Sequence, residues 1–105
     1  MFIVKGKQIL DDRVDINPSP AVRGREVLVH YNGLLNKSGA DRVFCHYGYD
    51  GWKNVSTAEM RREADGSFAV SIPVVGTSEI NLCFKDSANN WDNNNGWNWT
   101  TDIKY

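Results

Sequence analysis

Residues 79–84 read Glu-Ile-Asn-Leu-Cys-Phe, and the alternation in this stretch decides the fold. In an extended chain Ile80, Leu82 and Phe84 project to one side and Asn81 and Cys83 to the other, the period of two expected of a half-buried strand. The same period recurs on the N-terminal side. Ser67–Val74 sets Phe68, Val70 and Ile72 against Ser67, Ala69 and Ser71. Arg42–Tyr47 sets Val43, Cys45 and Tyr47 against Phe44 and His46, and Glu26–Tyr31 sets Val27, Val29 and Tyr31 against Leu28 and His30. Asn32-Gly33, Ser38-Gly39, Asp50-Gly51, Asp65-Gly66 and the Asn-rich stretch 86–96 punctuate these runs as turns. Short strands at near-regular spacing in a chain of 105 residues predict one all-β domain, a two-sheet β-sandwich.

Two segments need separate treatment. Thr57–Ala64 is rich in helix formers, yet Met60 is its one large apolar residue, so an amphipathic helix would have little to bury. It is read as an edge strand presenting Met60 inward. Asp11–Gly24 holds Asn17-Pro18, Ser19-Pro20 and Gly24 and is read as a linker. The organisation expected is therefore an N-terminal strand (Phe2–Leu10) and linker over 1–23, followed by the sandwich over 24–105. No internal repeat occurs.

Composition excludes several classes of function. Twelve basic and 13 acidic residues give a net charge of -1, against a duplex nucleic-acid binder that needs a concentrated cationic excess. No apolar run approaches the roughly 20 residues that cross a bilayer, so no membrane partner is expected. Met1–Leu10 interleaves Lys5 and Lys7 with apolar residues and lacks the form of a secretory leader. The expectation is a cytoplasmic protein, or a fragment cut from a larger secreted one. The sequons at Asn36, Asn54 and Asn98 are accordingly read as chance. Cys45 and Cys83 could form one disulfide, but isolated buried thiols are the favoured reading, and their spacing fits no zinc motif.

Catalytic arrangements find little support. His30 and His46 lie on predicted strands, away from any nucleophile elbow, and the glycines are scattered at turns rather than gathered into a phosphate loop. Paired carboxylates for glycoside hydrolysis could be drawn from 13 acids, yet most of these fall at turns, as solvated charge does. The loop DSANNWDNNNG, 86–96, invites a calcium reading through its Asp and Asn oxygens. Counting back from Gly96 puts Trp91 where an EF-hand needs an acid, so that motif fails. A looser calcium site and a loop shaped by its own amides both stay open. No cofactor or metal is called for.

The aromatic residues say more. Of four tryptophans, three crowd into Trp91–Trp99. Trp97 and Trp99 share parity and are assigned to the scaffold of a final strand. Trp91 stands among Asn89, Asn90, Asp92 and Asn93, and Trp52 follows the Asp50-Gly51 turn. Large aromatics on polar loops are costly to leave wet, which makes each a candidate for ligand contact. An indole matches the C–H face of a pyranose by dispersion, while amides and imidazole match its hydroxyls. Asn93, Asn94 and Asn95 would supply such a rim beside Trp91. His46 could donate to a hydroxyl or simply be hydrogen-bonded within the sheet.

His46-Tyr47-Gly48, Trp52 and Met60, then Phe84-Lys85-Asp86 leading to Trp91-Asp92-Asn93-Asn94-Asn95-Gly96-Trp97-Asn98-Trp99, together resemble the starch-binding carbohydrate-binding modules of families 25 and 53. The resemblance spans about residues 24–104. It implies an immunoglobulin-like antiparallel β-sandwich, without catalytic activity, that binds an α-1,4-glucan or maltooligosaccharide. It also implies a sugar platform formed by His46, Trp52 and Trp91, with Asn93 and Asn94 bonding hydroxyls and Asp92 and Asn98 bracing the loop. The competing reading is a structural or protein-interaction sandwich using the same aromatic surface.

Overall fold

The computed structural model describes residues 11–105, and the expected strand Phe2–Leu10 lies outside them. Two sheets pack face to face. The smaller runs, in spatial order, Val14–Asn17 (β1), Glu26–Tyr31 (β3), Phe68–Pro73 (β7) and Arg61–Arg62 (β6). The larger runs Ala21–Val22 (β2), Trp99–Lys104 (β10), Glu79–Asp86 (β8), Val43–Tyr49 (β4) and Asn54–Glu59 (β5), with Trp91–Asp92 (β9) also paired to β8. All pairings are antiparallel except that of β2 with β10. Leu34–Lys37 forms one helical turn, α1.

The core follows from the alternation. Val29 lies between Ile16 and Val70, and Tyr31 between Val14 and Phe68, so one face of the smaller sheet is apolar. Facing it, the larger sheet aligns Cys45 with Phe84, Tyr47 with Leu82 and Tyr49 with Ile80, and Leu82 in turn with Trp99. Tyr31 stacks on Phe84 at 4.3 Å, which joins the two sheets through aromatic contact, and within the larger sheet Trp99 meets Phe84 edge-on at 5.4 Å. The segment 54–62 serves both sheets. β5 is the edge of the larger and β6 the edge of the smaller, and buried Met60 marks the crossing, as the edge-strand reading expects.

The stretch Asp11–Gly24 departs from its reading as a linker. It contributes β1 to one sheet and β2 to the other, and Val14, Ile16 and Ala21 are buried. The prolines stand in the connection between these strands, so the four-residue alternation Val14–Asn17 before them escapes notice. Both cysteines are free and buried. Cys45 pairs with Phe84 on the inner face and Cys83 with His46 on the outer, so their side chains leave the sheet in opposite directions.

Candidate functional site

The outer face of the larger sheet carries the residues that alternation turns away from the core. On β4 these are Phe44, His46 and Gly48. Register places Lys85, Cys83 and Asn81 of β8 beside them, and Glu59, Thr57 and Val55 of β5 on the other flank. Trp91, on β9, stands opposite Lys85. His46 therefore lies on β4 between β5 and β8 and receives a neighbour from each side. The Trp52 ring lies nearly parallel to it, 20° between planes and 5.8 Å between centroids, and the Trp91 ring stands nearly perpendicular, at 86° and 5.5 Å.

Trp52 reaches this position from the link between β4 and β5. Asp50, Gly51 and Trp52 take φ of 53°, 74° and 66°, three successive left-handed residues that turn the chain back onto its own strand. Such a run is costly for residues other than glycine and persists only where surroundings hold it. Here the Asp50 carboxylate accepts from Thr77 N, Thr77 Oγ1 and Ser78 N, the last at 2.6 Å. Glu79 Oε2 accepts from Gly51 N at 2.6 Å, and Lys53 N–H closes the turn on Tyr49 O. The bonds from Ser78 and Thr77 hold the Asp50 carboxyl below its usual range.

Trp91 is placed differently. Its backbone pairs with β8, and the left-handed conformations fall on its neighbours Asn89, Asn94, Asn95 and Asn98. Asparagine tolerates that region better than most residues, which accounts for much of the loop's composition. Asp86 accepts from Ala88 N, Asn90 N and Asn90 Nδ2, the Asn90 amide chief among the contacts that keep its carboxyl acidic. Buried Asp92 accepts from Tyr31 Oη at 2.6 Å and anchors the loop to the smaller sheet. Asn94 is committed on both ends, accepting from Arg13 Nη2 at 2.8 Å and donating to Asn98 O. Asn93 is exposed and uses its Oδ1 to accept from Gly96 N.

The expected residues thus divide. His46, Trp52 and Trp91 come together as one cluster of rings, while Asn93 and Asn94 lie on the adjoining turn and help to shape it. Trp97 corrects the sequence reading. It is 66% exposed on the turn before β10, whereas Trp99 is fully buried. Shared parity requires a continuous strand, and β10 begins only at Trp99. Among the described residues no group of three or more His, Cys, Asp or Glu could hold a metal ion, and the Asp86 carboxylate is turned onto the Ala88 and Asn90 backbone N–H groups and the Asn90 amide.

Several contributors were not legible beforehand. Lys85 Nζ sits 5.5 Å from the Trp91 ring centroid and 5.8 Å from that of Phe44. Arg13, from the segment read as a linker, bonds Asn94 and stacks over Trp99 at 5.1 Å. Asp11 accepts from Arg13 and from Trp99 Nε1, and the Arg13 bonds hold its carboxyl down at about 2. His46 Nδ1 is engaged with Thr57 Oγ1 at 2.8 Å, which leaves Nε2 for an external partner. Burial and then the Lys85 charge lower its pKa, so the ring is neutral near pH 7. The surface offers two indole rings set about His46, bordered by amide and hydroxyl groups.

A family model described as a starch/carbohydrate-binding module (family 53) matches residues 27–82, a stretch that contains His46 and Trp52. An α-amylase of Clostridium acetobutylicum is 34% identical over 89 residues, covering 84% of this chain and 11% of its own length. The chain thus spans only a small part of that relative. No solved structure matches it.

Proposed function

The chain belongs to the family-53 starch/carbohydrate-binding modules, and from that premise we propose that it binds α-1,4-glucan chains without cleaving them, stacking sugar rings on Trp52 and Trp91. The observation that carries this reading is the ring geometry around His46. Trp52 lies nearly parallel to the imidazole and Trp91 stands across it, so the two indoles are steeply inclined to one another. A flat β-linked glucan would meet one indole and miss the other. An α-1,4-linked chain bends, and successive glucose units can present their C–H faces to both. His46 Nε2, between the two indoles, and Asn93, on the turn beside Trp91, would meet hydroxyls, exchanging bonds to water for bonds to sugar at little net gain. Affinity for one shallow site of this kind is on the order of micromolar to millimolar.

The test is electrophoresis through native gels containing amylopectin, with a maltoheptaose titration followed by indole fluorescence. Wild type is expected to be retarded. Trp52→Ala and Trp91→Ala are each expected to lose about 2 kcal/mol, roughly thirtyfold in Kd, as truncated aromatic anchors do. Unretarded wild type, or full retention of binding by Trp91→Ala, overturns the reading.

A further inference from the structure

We propose that Gly48 is a positioning residue for this platform: its missing side chain is the seat on which the Trp52 indole lies, and filling it displaces the indole from its alignment with His46. The consequence for glucan rests on the function proposed above, but the geometry does not. Gly48 sits within β4, paired with Val55 on one side and Asn81 on the other. Its φ lies outside the left-handed region, so the backbone makes no demand for glycine. Glycine inside a strand is a liability unless something approaches closely. Here something does. A Cβ at residue 48 would fall 2.5 Å from Trp52 Cε3, 3.2 Å from Trp52 Cα and 3.3 Å from Trp52 Cδ2.

The contact with Cα matters as much as the contacts with the ring. Rotating the indole relieves the ring contacts and leaves the backbone close, so the turn 50–52 would also have to move. That turn is tied by Asp50 to Thr77 and Ser78 and by Gly51 to Glu79, and it is already in the left-handed region. A turn fixed on both sides has little room to yield. The shape of the platform is therefore built in before ligand arrives, by an absent side chain beneath Trp52 and two carboxylates behind it.

Gly48→Ala, made in wild type and in Trp52→Ala, separates this role from a general one. In wild type the substitution is expected to lower Tm, shift the His46 imidazole proton resonances as the neighbouring indole moves, and weaken maltoheptaose about tenfold. In Trp52→Ala the ring contacts are gone and only the 3.2 Å contact with the residue-52 Cα remains, so the same change should lower Tm far less than in wild type and leave Kd within about twofold. Equal loss of Tm in both backgrounds overturns the proposal, as do His46 resonances and Kd that stay at wild-type values in Gly48→Ala. Should wild type fail to bind glucan, the functional reading falls, while the difference between the two Tm losses still decides the role of Gly48. If Gly48→Ala alone does not fold, the variant in the Trp52→Ala background must fold; failure there too overturns the proposal.

Discussion

The turn that carries Trp52 and the loop that carries Trp91 do the same job by opposite means. The first is short and puts the tryptophan itself in the left-handed region, sealed by carboxylates of Asp50 and Glu79 that bond backbone N–H groups. The second is long, leaves Trp91 in regular pairing with β8, and moves the left-handed residues to asparagines. Its anchor is a buried bond, Tyr31 Oη to Asp92, that reaches across to the other sheet. A left-handed turn at the tryptophan itself holds one ring, and attachment to the core holds the other. The Trp91 loop should therefore be coupled to global stability more strongly than the Trp52 turn.

The largest effect expected from that difference is at Asp92. Asp92→Ala leaves the Tyr31 hydroxyl buried beside a vacated acceptor and should cost about 3 kcal/mol of stability in urea unfolding. Burial and the Asp92 carboxylate raise the Tyr31 pKa, so the hydroxyl stays protonated and donating at any ordinary pH. Maltoheptaose affinity should fall with it as β9 frays. A variant as stable as wild type would mean that the Trp91 loop stands on its own bonds, and the contrast would be lost.

Asp50→Ala is the matching cut in the other region. Its carboxylate is partly exposed and serves a local turn, so the expected loss is about 1 kcal/mol, kept small by solvent screening. Binding of maltoheptaose should weaken more than stability suggests, because the bonds removed fix Trp52. The pH dependence has a definite sign. The folded carboxyl is depressed below the ordinary 3.8, so its contribution is complete above that value and is lost as pH falls through the folded pKa. Wild type and Asp50→Ala should thus converge in stability only in strong acid. Convergence already at pH 5 would contradict the bonding seen here.

How much of this could be read beforehand follows from what is local. The strands Glu26–Tyr31 and Glu79–Asp86 announce themselves because burial on one face imposes a period of two on consecutive residues. Trp91 is conspicuous because its neighbours are polar. Gly48 under Trp52 depends on how the 50–52 turn folds back, and Glu79 behind Gly51 and Arg13 on Asn94 join segments distant in the chain, none of which an alternation of consecutive residues encodes. The asparagines carry two signals at once. The amides of Asn93 and Asn94 suggest hydroxyl partners, and Asn94 also answers a backbone need that shows only once φ is known. Trp97 misleads because a parity argument holds only where a strand continues.

The smallest expected effect concerns charge, where the two regions differ again. Carboxylates border Trp52, while the ammonium of Lys85 lies between the rings of Phe44 and Trp91, and His46 stands between the two sides. The histidine pKa is lowered first by burial and then by Lys85. The unfolded chain therefore takes up a proton near pH 6.5 that folded His46 refuses, so stability falls as pH drops from there toward the folded value. Lys85→Met keeps the apolar stem against both rings and removes the charge. The His46 Cε1 proton should then titrate at higher pH than in wild type but still below 6.5, because burial remains. A midpoint unchanged by the substitution would show that Lys85 shapes the Trp91 side by packing alone.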